Sequence, residues 1–175
     1  MSTFTVSSNK IIVTDPCYDI GTWCTATLEH VRNGTYHAEV NSENKGVWGD
    51  RIADITIYHS SVLGKKKRLK FHWRDSNIGV DSGQAGFFDF SVYEQIKDNQ
   101  QLDKSFYDEV SEKTLSSNQW GVVDSKVFDK TNFGVASSSG YGDGVYSLFV
   151  AEDNGEIIAA RIVFISEEND DYEEI

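Results

Sequence analysis

The strongest constraint on this chain's fold lies near its end. There a glycine-rich turn, Gly140-Tyr141-Gly142-Asp143-Gly144, runs straight into Val145-Tyr146-Ser147-Leu148-Phe149-Val150. Asn154-Gly155 and a second β-rich run over residues 156–165 follow. Two such runs joined by an Asn-Gly turn predict an antiparallel hairpin. A turn that carries a carboxylate at the mouth of a rigid hairpin is also where a ligand-facing loop would sit, since its backbone amides are free and the sheet fixes their position.

Upstream the pattern is again mostly β. Residues 10–13 read as a short apolar strand that stops at Asp15-Pro16, where proline removes a ladder donor and biases the residue before it to extended geometry. Residues 22–40 predict a second hairpin around Asn33-Gly34, a dipeptide favoured in type I′ turns because both central residues need φ > 0. A two-residue loop there sets Arg32 opposite Thr35, Val31 opposite Tyr36 and His30 opposite His37. Residues 51–60 alternate as a half-buried strand, and residues 69–80 follow with Phe71 and Trp73 on one face and His72 and Arg74 on the other. Between them stands Lys65-Lys66-Lys67-Arg68, read first as a solvated loop that protects a sheet edge and second as a phosphate grip.

Helix signals occur only in the middle of the chain. Ser91-Val92-Tyr93-Glu94 has the form of a capping box, predicting a helix to about Asn99. Leu102, Phe106 and Val110, four apart, predict a second helix that ends near Ser116-Ser117-Asn118. Strand-like runs resume at 120–123 and 133–136. Strands, two short helices, then strands again predict an α+β fold, mainly antiparallel β-sheet. With one proline and no low-complexity linker, residues 1–166 are expected to form a single domain.

Charge limits the partners. The 175 residues carry a formal −12, and six of those charges crowd the end as Glu167, Glu168, Asp170, Asp171, Glu173 and Glu174. With no cation among them, residues 167–175 are expected to be a disordered acidic tail. Direct nucleic-acid binding is not expected of such a chain. No apolar run reaches the roughly 20 residues of a membrane helix, and residues 1–4 lack the features of a secretory signal, so a cytoplasmic protein is expected. Ten Phe, eight Tyr and four Trp supply bulky core volume. Cys17 and Cys24 read as two reduced thiols.

The candidate chemistry is carried by aspartates. Asp15, Asp81, Asp89 and Asp143 each stand at a strand end or turn beside Pro16, Gly83, Gly86, Gly142 or Gly144. Turn-building explains aspartate and glycine at such places equally well, because aspartate bonds its own backbone and glycine accepts φ > 0. Asp89 has a further structural use beside the start of the helix near Ser91. Residues 81–89 offer two carboxylates and an amide that a loop can turn toward a cation or a sugar-like ligand, at a spacing unlike an EF-hand. The four histidines give no metal pattern, G-x-S-x-G is absent, and residues 140–144 are too short for a phosphate cradle. No cofactor is indicated.

Three short elements taken together, Asp15-Pro16-Cys17-Tyr18, Asp81-Ser82-Gly83-Gln84 leading to Asp89, and Gly142-Asp143-Gly144-Val145-Tyr146, resemble those of small bacteriophage and bacterial proteins of the DUF4241 type. The resemblance implies a phage-encoded or mobile-element protein acting in a bacterial cytoplasm, with a host-modulating or counter-defence role by analogy of class. If the elements meet in space, Asp15, Cys17, Tyr18, Asp81, Gln84, Asp89, Tyr141, Asp143 and Tyr146 line one polar, aromatic-edged pocket. The functional expectation is a binding protein for a small polar ligand or a host protein. Two alternatives stand beside it: a hydrolase using Asp81 or Asp143 as base, with or without a divalent ion, and an acidic interaction or nucleic-acid-mimic protein acting through its tail.

Overall fold

The computed structural model describes residues 2–125 and 130–166. Among the described residues eleven strands form two antiparallel sheets. The six-stranded sheet A has the order β1-β4-β5-β11-β10-β6, built from Thr3–Val6, Gly34–Asn44, Asp50–His59, Glu156–Val163, Gly144–Asp153 and His72–Val80. The five-stranded sheet B has the order β3-β2-β7-β9-β8, built from Ala26–Leu28, Ile11–Thr14, Gln84–Asp89, Lys130–Ser138 and Trp120–Ser125. Two helices, α1 (Phe90–Lys97) and α2 (Gln100–Thr114), join β7 to β8. The predicted α+β class with a dominant antiparallel sheet is what the chain adopts.

Sheet B is the middle layer, and its composition follows from that position. Ile11, Val13, Phe87 and Val135 face sheet A, where they meet Phe4, Ile55, Ile78, Leu148 and Ile162. Their strand neighbours Ile12, Phe88, Val123 and Phe133 turn the other way, onto Val92, Tyr93, Ile96, Phe106 and Val110 of the helices. A strand covered on both sides loses the alternation of apolar and polar residues, and every residue of β2 and β7 is buried. The fit is close: a Cβ on Gly134 would stand 2.4 Å from the Phe88 ring, and one on Gly86 would stand 2.1 Å from the Val135 carbonyl oxygen. Sheet A keeps one face outward, so β4 alternates between buried and exposed positions.

The terminal hairpin forms as expected, with β10 and β11 paired antiparallel and Asn154 and Gly155 both at positive φ (51° and 78°). The hairpin expected around Asn33-Gly34 does not form. β3 pairs with β2 in sheet B while β4 pairs with β1 and β5 in sheet A, so the chain crosses between sheets at this point. The Asn33 side chain is used elsewhere, accepting from Asn9 N–H at 2.8 Å and donating to Asn9 Oδ1 at 3.0 Å, and Val31 bridges to Ile157. His30 therefore does not face His37, whose cross-strand neighbours are Thr3 and Tyr58. Residues 65–68 are not a loop but the end of a 3-10 segment, Ser60–Arg68, anchored by buried Val62. The acidic stretch 167–175 lies outside the described residues.

Candidate functional site

Asp15 sits at the end of β2, fully buried, and its carboxylate is saturated. Oδ2 accepts from the backbone N–H groups of Asp81 (2.8 Å) and Ser82 (2.7 Å), while Oδ1 accepts from Ser82 Oγ (2.7 Å) and Cys17 N–H (2.9 Å). An ionised carboxylate can hold such a bed of donors without a cation beside it, because each bond to a charge is stronger than a neutral one. The element at residues 15–18 and the turn at residues 81–84 are thus tied together by one side chain. Beneath them Lys97, with 5% of its side chain exposed, donates to Pro16 O at 2.5 Å and to Asp103 Oδ1 at 2.8 Å while lying over the rings of Tyr93 and Phe106. Nothing in the sequence marked that lysine out.

Asp89 repeats the arrangement at the other end of the same strand pair. Oδ1 accepts from Ser7 N–H, Ser8 N–H and Ser8 Oγ, and Oδ2 accepts from Ser91 Oγ and Val92 N–H. Asp89 is therefore the cap of α1, and the helix opens at Phe90 rather than on a Ser91 capping box. Because Ile11 pairs with Asp89, Asp15 stands four residues farther along β2, about 13 Å away at some 3.3 Å per residue. The two carboxylates do not share a hollow. Gln84 is also turned inward, accepting from Thr114 Oγ1 at 2.5 Å and donating to Ser111 Oγ at 3.3 Å, where it braces α2.

The hairpin turn joins the Asp15 end. Gly144 pairs with Val80, Ser139 N–H donates to Gly83 O at 3.0 Å, and the Tyr146 hydroxyl lies 2.6 Å from Gly142 O and 3.1 Å from Ser139 O. Three elements distant in sequence thus reach one end of the molecule, held by hydrogen bonds of their own. Asp81, Asp143 and Tyr141 are left exposed there, Tyr18 is half-buried, and Tyr141 packs its edge against Trp48. Cys17 is solvent-facing as a residue, but partial burial of its sulfur and the adjacent Asp15 carboxylate push the thiol up to about 12. It is protonated at neutral pH and a weak nucleophile. Among the described residues no group of three His, Cys, Asp or Glu side chains is placed to hold a metal ion.

Acidic groups also meet across a cleft of about 550 Å³ between α2 and sheet B, lined by Phe106, Glu109, Glu112, Lys113, Asp124 and Phe133 among others. Glu109 accepts from the Asp124 N–H at 3.2 Å. Burial first, then the Asp124 carboxylate, push Glu109 up to about 7.

The outward face of sheet A carries the opposite chemistry. A groove of about 680 Å³ runs between that face and the 3-10 segment, lined by Lys65, Lys66, Lys67, Arg68 and Arg161, with Glu39 as its one carboxylate. Arg161 is fixed in place: Nε donates to Thr56 Oγ1 at 2.8 Å, and the guanidinium lies 4.2 Å from the centre of the Phe71 ring. Lys66 pairs with Glu39 and lies over Tyr58. Lys65, Lys67 and Arg68 have no carboxylate partner among the described residues.

Residues 77–163 match the family DUF4241, a family of proteins of unknown function. The protein is DUF4241-like. No curated protein and no solved structure matches the chain. The DUF4241 match begins within β6 and ends with β11. It takes in Asp81, Gln84, Asp89, Tyr141, Asp143, Tyr146 and Arg161, and leaves out Asp15, Cys17, Tyr18 and the lysines of the 3-10 segment. No helix is long and apolar enough to cross a membrane among the described residues.

Proposed function

We propose that this DUF4241-like protein is a binding protein whose ligand is a small anion, held in the groove between the 3-10 segment and the outer face of sheet A. One observation carries the reading: a guanidinium already oriented by Thr56 and Phe71 shares a groove with Lys65, Lys67 and Arg68, which have no carboxylate partner among the described residues, while Lys66 of the same run pairs with Glu39. In a chain of net −12 such a cluster is a local exception. Like charges held together repel one another, and a phosphate or carboxylate group relieves that repulsion while filling the donors of the arginine fork. The host-modulating or counter-defence setting implied by the sequence resemblance belongs to the proposal as well.

Calorimetric titration with inorganic pyrophosphate tests it. The expected result is saturable binding that weakens at least tenfold in Arg161→Ala and falls with added salt. Equal binding by Arg161→Ala and the unaltered protein, or none by either, would end the proposal. A second reading keeps the rim of half-buried Tyr18 and exposed Asp81, Tyr141 and Asp143 as a binding edge for a polar ligand or a host protein. It is favoured by the mutual tethering of the three elements that carry those residues. Asp81→Asn and Asp143→Asn should then lose that partner, or lose metal-dependent turnover if the edge is hydrolytic, with folding unchanged. Full retention of both would remove the rim from consideration.

A further inference from the structure

The groove continues, along one row of the sheet, into an aromatic strip. Trp73 pairs with Phe149, Phe149 with Arg161, Arg161 with Thr56, and Thr56 with Glu39, so all five side chains point to the same outward face. Trp73 is 56% exposed, so its indole is open to solvent on that face. Displaced along the same two strands, past a β-bulge, Asn77 stands opposite Ser147 and adds two hydrogen-bonding side chains. With strands about 4.8 Å apart, Trp73 stands roughly 10 Å from Arg161. An indole face and a cationic groove therefore lie along one row, with amide and hydroxyl donors beside the indole, on the same face of the sheet.

We infer that the anion is a nucleoside phosphate, with its base against Trp73 and its phosphates over Arg161 and the cations of the 3-10 segment. This rests on the anion-binding reading and narrows it. The base supplies a π-face for the indole and polar edges for Asn77 and Ser147. The phosphates supply the counter-charge that Lys65, Lys67 and Arg68 lack. A free nucleotide suits the molecule better than a nucleic-acid strand, because the net charge of −12 repels a long polyanion everywhere except at this patch.

The experiment compares ADP, pyrophosphate, ribose 5-phosphate and a single-stranded oligothymidylate in calorimetric titrations of the full chain. It uses the unaltered protein, Trp73→Ala and Trp73→Phe, with circular dichroism confirming that each variant is folded. The expected result is that ADP binds at least tenfold more tightly than pyrophosphate or ribose 5-phosphate. Trp73→Ala abolishes that advantage without changing pyrophosphate affinity, and Trp73→Phe keeps most of it. Equal affinity for ADP and pyrophosphate, or an ADP affinity indifferent to Trp73→Ala, overturns the nucleotide inference and leaves the anion reading standing. Binding of the oligonucleotide more tightly than ADP overturns it in favour of a nucleic-acid surface. Binding of none of the four removes both.

Discussion

The two charged regions of this molecule invert what their residue types suggest. The aspartates at strand ends, Asp15 and Asp89, look like ligand donors and are wholly engaged, with four and five hydrogen-bond donors respectively directed at their oxygens. The basic run 65–68 looks like a solvated loop and contains cations that the fold leaves uncommitted beside an oriented arginine. A loop position tells where a polar group stands. Its capacity for a ligand depends on which of its donors and acceptors are still free, and that is decided by tertiary neighbours.

The sharpest way to break the comparison is to remove a saturated carboxylate. Asp15→Ala removes the buried acceptor of three N–H groups and a hydroxyl that are themselves part-buried, and a loss of about 2–4 kcal/mol is expected in urea unfolding. Asp89→Ala should cost a similar amount, since it unties the turn between β1 and β2 from β7 and uncaps α1 together. A loss below about 1 kcal/mol in either variant would mean that these carboxylates are not structural ties. The opposite variant, Lys65→Ala with Lys67→Ala and Arg68→Ala, should leave the unfolding midpoint nearly unmoved while weakening pyrophosphate at least tenfold.

A third acid belongs to neither class and sharpens the contrast by its pH dependence. Glu109 is raised to about 7 in the folded protein and titrates in the ordinary carboxylate range when unfolded. The folded state therefore holds this proton more tightly. The associated stability is complete in acid and is lost as pH rises from about 4.5 through 7. Glu109→Gln should stabilise the protein above pH 7 by about 1–2 kcal/mol, allowing for solvent screening in an open cleft, and make no difference near pH 4. A variant equally stable to the parent at pH 8 would contradict the pairing with Asp124. The smallest effect belongs to Ser137, whose buried hydroxyl has no hydrogen-bond partner among the described residues. Ser137→Ala should be neutral or stabilising by up to about 1 kcal/mol in thermal melts.

The elements were legible wherever a local rule decided them. The terminal hairpin follows from Asn154-Gly155 between two β-rich runs, and α2 from Phe106 and Val110 on one face. The hairpin at Asn33-Gly34 failed because turn chemistry is only a local preference. Asn33 found a better partner in Asn9, and the β3 strand found its own in β2. The helix opens at Phe90 rather than after Ser91 because Asp89 Oδ2 accepts from Val92 N–H and from the Ser91 hydroxyl, which is thereby spent as a donor inside the first turn. The meeting of residues 15–18, 81–84 and 139–146 depends on sheet order, which no spacing in the chain reveals. The groove over Arg161 was invisible for the same reason: Thr56, Phe71 and Arg161 become neighbours only through strand register.

The middle position of sheet B has a consequence for where one protein unit ends. The stretch that matches DUF4241 supplies β7, β8 and β9, yet β7 takes its other ladder partner from β2, and β11 takes one from β5. Cut out alone, residues 77–163 would bare two rows of unpaired backbone groups and one whole apolar face, a recipe for self-association. The border of sequence likeness thus cuts through the architecture instead of following it.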